Sequence, residues 1–122
     1  MSARRAKPGS LVENAVDLQE VAAGRGVVWT LQASEDLNAN LARFAEGGGV
    51  GEHVNDEVDV LLVGVTGSGS VVVDGHEHAL GAGKLVFVPK GSRRSTRGAS
   101  EGFAYLTVHK RRGPLRIGSG RL

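Results

Sequence analysis

Two stretches of the sequence combine regularly placed glycines with side chains that can bind ions. In order along the chain they contain Gly47, His53-Val54-Asn55 and Asp59, and then Gly83, Pro89-Lys90-Gly91 and Arg94. An imidazole and a carboxylate can bind a metal ion or carry a proton. A guanidinium stays protonated and has no acceptor lone pair, so it cannot bind a cation, but its fork of donors matches a carboxylate or a phosphate. These residue types therefore allow both metal and anion binding.

Several other chemistries are excluded by the sequence. The chain has no cysteine, which rules out thiol nucleophiles, disulfides, iron–sulfur clusters and cysteine-based zinc sites. The glycine-rich runs GGGVG and GSGS are not followed by Lys-Ser or Lys-Thr, as a phosphate-binding loop requires, and no serine has the context of a nucleophile elbow. On a strand, His76 and His78 share a face, but no second cluster of ligands accompanies them, and we interpret this segment as solvent-facing.

Short strands separated by glycine-bearing turns must position the candidate residues. Enrichment in β-formers and alternation of apolar residues predict strands over 27–31, 37–44, 58–65, 70–73, 76–80, 85–88, 93–97 and 103–109. A short helix is predicted over 16–23, and residues 66–69 and Asp74-Gly75 are predicted to be hairpin turns. Eight short strands with almost no helix predict an all-β closed barrel or sandwich.

The length of 122 residues corresponds to one domain. We expect a flexible basic tail over 1–10, a barrel domain over 11–112 and a basic, glycine-containing tail over 113–122. The sequence has no apolar run as long as the ~18 residues of a membrane span. Its basic N-terminus lacks the apolar segment of a signal peptide. We therefore expect a cytoplasmic protein that does not associate with membranes.

Charge is distributed unevenly along the chain. Residues 8–83 contain twelve acidic and two basic residues, whereas residues 84–122 contain ten basic residues and one acidic residue. This pattern fits either a nucleic-acid surface or two oppositely charged faces that pair within the fold or in a dimer. The basic C-terminal segment has no aromatic residue on which bases could stack, which argues against nucleic-acid binding.

The glycine and proline frame resembles the paired motifs of the cupin superfamily, GX5HXHX3–4EX6G followed by GX5PXGX2HX3N. The resemblance spans residues 37–109, although Gly67 lies one residue late for the first motif and Gly98 stands where the last Asn is usual. It implies a single small cupin-type, jelly-roll-like β-barrel, with a short N-terminal helix or turn and a ligand or metal site in the barrel mouth. It also implies a homodimer.

The resemblance carries the four ligand positions of a cupin metal site onto His53, Asn55, Asp59 and Arg94, where cupins usually have two His, a Glu and a further His. Only His53 is unchanged. One imidazole and one carboxylate remain, fewer than the three protein ligands of a catalytic metal, so no metal cofactor is expected. We expect Arg94 to occupy the vacated metal position, paired with Asp59, and to keep donors free for an anion.

The sequence therefore predicts a barrel that binds a small polar or anionic molecule through His53, Asn55, Asp59 and Arg94, without a strong indication of catalysis. Two alternatives stay open. One is a cupin enzyme of the dioxygenase or sugar isomerase or epimerase type, with one divalent iron, manganese, nickel or zinc ion held by His53 and Asp59 and completed by Glu57 or water. The other is a non-enzymatic regulatory or interaction module that works through its charged faces.

Overall fold

The alternating pattern of the sequence produces nine strands and one short helix in the described residues of a computed structural model, which are Leu11 and residues 14–112. The elements in chain order are α1 Leu18–Val21, β1 Gly26–Thr30, β2 Leu37–Phe44, β3 Gly49–Val54, β4 Val60–Thr66, β5 Gly69–Val73, β6 His76–Ala79, β7 Leu85–Val88, β8 Arg93–Gly98 and β9 Phe103–Lys110. The predicted all-β class is confirmed. The predicted tails, 1–10 and 113–122, lie outside the described residues.

The strands form two antiparallel sheets. One has five strands in the order β1-β2-β9-β4-β7, and the other has four in the order β3-β8-β5-β6. The prediction of a hairpin loop over 66–69 is wrong, because β4 and β5 lie in different sheets and this turn carries the chain between them. Asp74-Gly75 does form a hairpin turn between β5 and β6, with both residues at positive φ, as a tight two-residue turn requires.

The main core lies between the two sheets, which present their inward-facing apolar side chains to each other. Its most fully buried large side chains are Phe103, Leu62, Leu80, Val58 and Val71. The Phe103 and Tyr105 rings pack with their centroids 5.3 Å apart. Because successive side chains of a strand point to opposite faces, burial of these residues fixes which side chains face the interior.

A second apolar cluster covers part of the outer face of the five-stranded sheet. Trp29, Leu41 and Ala104 are buried there, and the segment containing α1 packs against them through Leu18 and Val21. Helix α1 begins after Asp17, whose Oδ1 accepts hydrogen bonds from the backbone N–H groups of the following turn. The helix has four residues, fewer than the predicted eight, because Asp17 caps its start and Ala22, which follows its last residue, lies outside the α region.

Strand β3 was not predicted, because its glycines, Gly49 and Gly51, have low β-propensity. The structure gives a packing reason for the first of them. A side chain at Gly49 would collide with the backbone carbonyl of Thr96 in the neighbouring strand β8, so glycine permits the close approach of the two strands. None of the helices in the described part of the chain has the length and apolar character of a transmembrane span.

Candidate functional site

Pairing between β3 and β8 places His53 directly opposite Arg94 on the inward-facing side of the four-stranded sheet. The Arg94 guanidinium donates from Nη2 to Nε2 of His53, 3.0 Å away. On the other side of the imidazole ring, Nδ1 lies 2.9 Å from the carbonyl oxygen of Gly51. Since a carbonyl only accepts, Nδ1 carries the proton and Nε2 is the free acceptor. His53 is therefore neutral in this arrangement, and its ring orients the guanidinium.

The second terminal nitrogen of Arg94, Nη1, is buried and has no hydrogen-bond partner among the described residues. Arg94 as a whole is half-buried. Burial lowers the pKa of Arg94, an effect that the nearby Tyr105 opposes and the positive charge of Arg112 reinforces. An arginine nevertheless stays protonated at any working pH. The site therefore contains a permanent cation with unsatisfied donors.

Asn55 lies in the loop between β3 and β4 and uses both ends of its amide to hold that loop. Its Oδ1 accepts from the backbone N–H groups of Glu57 and Val58 at 3.0 and 3.4 Å, and its Nδ2 donates to the Val58 carbonyl at 3.2 Å. The backbone carbonyl of Asn55 accepts from the N–H of Gly91, at 2.7 Å. Asn55 thus joins the two stretches that carry the candidate residues.

A narrow pocket brings these groups together at the mouth of the barrel. It is too tight to hold a water molecule in this structure and is lined by His53, Asn55, Val58, Val60, Val88, Pro89, Ser92 and Arg94. Its polar atoms come from β3, β8 and the adjoining loops. Of its valines, Val60 and Val88 lie in the five-stranded sheet and Val58 lies in the loop before β4. The pocket therefore combines a cationic side with an apolar side.

Asp59 does not belong to this pocket, and the predicted pair between Arg94 and Asp59 is wrong. Asp59 is exposed, because its neighbours Val58 and Val60 are buried and alternate residues face opposite sides. Its Oδ1 accepts from the backbone N–H of Lys90 at 2.8 Å. Arg94 therefore does not form the predicted ion pair with Asp59, and its side-chain partner is His53.

Val60 takes the place in the pocket that the sequence assigned to Asp59. Four residues separate Asn55 from Val60, and six separate Val60 from Gly67. Both intervals agree with the motif. When the carboxylate position is assigned to Val60 instead of Asp59, Gly67 is therefore no longer one residue late. Ser92 is a second lining residue that sequence reasoning missed. The sequence signal that could have identified Val60 is the alternation of the apolar Val58 and Val60 with the charged Asp59, which indicates that the two valines face inward.

These residues do not fit a resident metal ion. Of the four positions that hold the metal in the motif, Val60 has no donor atom, Arg94 cannot bind a cation, and the Asn55 amide already holds the loop. Across the described residues, no group of three potential ligands among His, Asp and Glu lies close enough to share an ion. Glu57, the residue considered for completing the set, has its carboxylate 3.9 Å from Nε of Arg112.

A buried polar pair lies deeper in the barrel. The Tyr105 hydroxyl and Thr96 Oγ1 are 2.8 Å apart, and Thr96 Oγ1 also accepts from the backbone N–H of Val50 at 3.1 Å. Burial raises the pKa of Tyr105, while the hydrogen bond with Thr96 and the positive charge of Arg94 act in the opposite direction. Tyr105 is therefore neutral at physiological pH. His76 and His78 are exposed on β6, outside the pocket lining.

Comparison with solved structures shows the same fold in bacterial proteins. A conserved protein of unknown function from Streptococcus pyogenes is 19% identical, with 93% of this chain and 100% of that chain covered and a TM-score of 0.70. A protein from Thermus thermophilus is 23% identical, with coverage of 82% and 98% and a TM-score of 0.65. KdgF from a Halomonas species is 18% identical, with coverage of 69% and 76% and a TM-score of 0.64.

Comparison with family models identifies residues 40–109 as a cupin domain. None of the curated protein sequences compared with the chain matches it. The matched segment begins in β2 and ends in β9, so it contains both stretches of the candidate site. With this match over more than half of its residues, the chain belongs to the cupin family.

Proposed function

We propose that the protein binds a small carboxylate or phosphate in the mouth of its barrel, with Arg94 as the anion-binding group and without a resident metal. The observation that carries this proposal is the buried Nη1 of Arg94, which has no partner among the described residues. An unpaired buried donor costs about 1–3 kcal/mol, and more when it is charged. An anion that accepts from Nη1 removes this cost and neutralises the guanidinium.

The neighbours of Arg94 support an anion as the ligand. His53 accepts from Nη2 and so leaves the donors of Nη1 for a second acceptor. A charge-assisted hydrogen bond from Nη1 to a carboxylate or phosphate oxygen is shorter and stronger than one between neutral groups. Because the buried side of the pocket has a low dielectric constant, the attraction between the two charges is also stronger than in water.

The apolar side of the pocket limits the size and character of the ligand. Val58, Val60 and Val88 face Arg94 and His53 across a cleft that is too tight for a water molecule in this structure. The lining side chains must therefore move apart to admit a ligand, which then directs its charged end at Arg94 and a small apolar remainder at the valines. Ser92 lies beside this position and supplies a hydroxyl that can donate or accept.

Titration with formate, acetate and inorganic phosphate tests the proposal. We expect at least one of these anions to raise the Tm at constant ionic strength with chloride as the reference, because a ligand that binds only the native state stabilises it. We expect Arg94→Met to abolish the increase. Arg93→Met is the matched control, since Arg93 is exposed on the same strand and lies 3.7 Å from Glu52; it should keep the wild-type response.

Two results would overturn the proposal. One is a wild-type protein whose Tm does not respond to any of the three anions. The other is an equal response in the wild type and in Arg94→Met. Nuclear magnetic resonance of the arginine side-chain N–H signals in the wild-type protein provides a readout that does not depend on the folding of a variant. We expect the Arg94 signals to shift on titration and those of Arg93 to stay unchanged.

A further inference from the structure

The inward-facing side of the five-stranded sheet changes from apolar to polar toward the mouth of the barrel. Its apolar part includes Leu62, Phe103 and Tyr105. The strand register places five polar side chains next to them on the same side of the sheet, those of Thr30, Asn38, Asn40, Thr107 and His109. These five residues form the polar patch. Inward positions between packed sheets are usually apolar, and asparagine is rare in strands, so strand formation alone does not account for the patch.

The polar patch is continuous with the pocket that contains Arg94. Val60 lines that pocket. The register of β4 and β9, continued by one residue, places His109 opposite Val60, and the register of β9 and β2 places Asn38 opposite His109. Asn38 and His109 are both half-buried, so part of each side chain is accessible. A ligand that extends from Arg94 across Val60 therefore reaches these two residues.

Hydrogen bonds within the polar patch fix the orientation of Asn38. Thr30 donates from Oγ1 to Oδ1 of Asn40 at 2.8 Å, and Asn40 donates from Nδ2 to Oδ1 of Asn38 at 3.3 Å. The amide oxygen of each asparagine is thus occupied by the residue before it in this series. Nδ2 of Asn38 has no hydrogen-bond partner in the part of the chain that the structure describes. Asn38 therefore presents two N–H donors.

His109 presents an acceptor beside these donors. Its Nδ1 lies 2.8 Å from the carbonyl oxygen of Lys110. Because a carbonyl only accepts, Nδ1 carries the proton and Nε2 is an acceptor. Within the described residues, Nε2 has no hydrogen-bond partner. The patch thus offers one neutral donor group and one neutral acceptor on directly opposed residues.

We infer that the polar patch binds hydroxyl groups and that the ligand is a hydroxy carboxylic acid, an inference that rests on the anion site proposed at Arg94. A hydroxyl group both donates and accepts, so it can accept from Asn38 and donate to His109 at the same time. A second carboxylate could not donate to the imidazole, and an ammonium group could not accept from the amide. The two residues therefore select hydroxyl groups over charged groups. The carboxylate of the ligand contacts Arg94, its carbon chain crosses Val60, and its hydroxyl groups reach the patch.

Isothermal titration calorimetry with two matched pairs of carboxylates tests this inference. Propionate and glycerate have carbon chains of equal length, as do butyrate and threonate, and only the second member of each pair has hydroxyl groups. At constant ionic strength, we expect the wild type to bind the hydroxylated member of at least one pair about fivefold more tightly, as one net hydrogen bond of ordinary strength would produce. Arg94→Met should lose the binding of both members.

Two variants of the patch and one control locate the hydroxyl contacts. We expect His109→Phe and Asn38→Leu each to lose the preference for the hydroxylated acid and to keep the wild-type affinity for propionate and butyrate. His78→Phe is the matched control, because His78 is exposed on β6; it should keep the preference. Nuclear magnetic resonance of the wild type gives a readout that does not depend on a variant. The side-chain amide signals of Asn38 should shift with glycerate or threonate and not with propionate or butyrate.

The possible failures distinguish this inference from the proposed function. Equal affinities of the wild type for the two members of both pairs would overturn the inference and leave anion binding at Arg94 intact. If none of the four anions binds, both the inference and the anion site at Arg94 are wrong. A preference for hydroxylated acids that persists in both His109→Phe and Asn38→Leu would show that the hydroxyl groups bind outside the patch, which also contradicts the inference.

Discussion

The Arg94 guanidinium of β8 donates a hydrogen bond to Nε2 of His53 in β3, over 3.0 Å. The two residues are direct partners in the β3–β8 register. This contact places a permanent cation where the cupin motif has a histidine ligand, and it engages the one ligand residue of the motif that this chain retains.

His53 is predicted to stabilise the fold by accepting a hydrogen bond from the Arg94 guanidinium. His53→Leu leaves Nη2 of Arg94 without its partner, in addition to the already unpaired Nη1. We expect a loss of about 1–3 kcal/mol in the free energy of unfolding, measured by urea denaturation. His53→Gln retains an acceptor and should lose less. A leucine variant as stable as the wild type would show that the hydrogen bond contributes nothing.

Metal binding is predicted to require two substitutions at the pocket. Arg94→His together with Val60→Glu, added to His53, gives two imidazoles and one carboxylate, which is the minimum for a catalytic-type site. We expect Zn²⁺, Ni²⁺ or Mn²⁺ to raise the Tm of this double variant by several degrees, with no increase for the wild type.

The control for the metal experiment exchanges the carboxylate position. Arg94→His together with Asp59→Glu places the longer carboxylate on the outward side of the chain, since Asp59 is exposed, so this variant should not gain metal affinity. Elemental analysis of the wild type after purification without added ions should show less than one metal per chain. One equivalent of iron, manganese, nickel or zinc would contradict our account of Arg94.

Tyr105 is predicted to make the free energy of unfolding decrease at alkaline pH. Burial raises the pKa of Tyr105 above its ordinary value of 10.0 in the folded protein, so the unfolded chain loses this proton first as pH rises. The stabilisation is complete below pH 10.0 and decreases as pH rises toward the folded-state pKa. The free energy of unfolding should therefore fall more steeply above pH 10.0 in the wild type than in Tyr105→Phe. Parallel pH profiles would refute this prediction.

Asp59 is predicted to have no role in ligand binding. Its carboxylate is exposed and accepts from the N–H of Lys90, so Asp59→Asn should leave the anion-dependent increase in Tm unchanged. The loss of stability should not exceed about 1 kcal/mol, the value of an ordinary hydrogen bond. If Asp59→Asn abolishes the anion response, Asp59 belongs to the site after all.

Much of the fold was predictable because the sequence alternates clearly over most strands. The eight predicted strands all exist. Strand β3 escaped prediction because Gly49 and Gly51 weaken its β-signal, although the small size of Gly49 is what allows β8 to approach. The turn after β4 was misassigned because a glycine-bearing loop has the same composition whether it joins neighbours in one sheet or crosses between two sheets.

The site was predictable only in part. The glycine and proline frame selected His53, Asn55 and Arg94, and these three residues line one pocket in the structure. The motif permits three or four residues before the carboxylate position, and the choice of three selected Asp59 instead of Val60. Contacts between layers, such as that of Thr96 with Tyr105, depend on how the two sheets face each other, and strand periodicity alone does not contain this information.

The hydrogen bond from the Gly91 backbone to the Asn55 carbonyl, at 2.7 Å, has a consequence for how this barrel can evolve. It fixes the rim of the opening through main-chain atoms, which every amino acid possesses. Substitutions at neighbouring lining positions can therefore replace one chemistry with another while the aperture keeps its shape. A barrel of this kind can replace a bound metal ion with a covalently attached cation, an arginine side chain, without a change of fold.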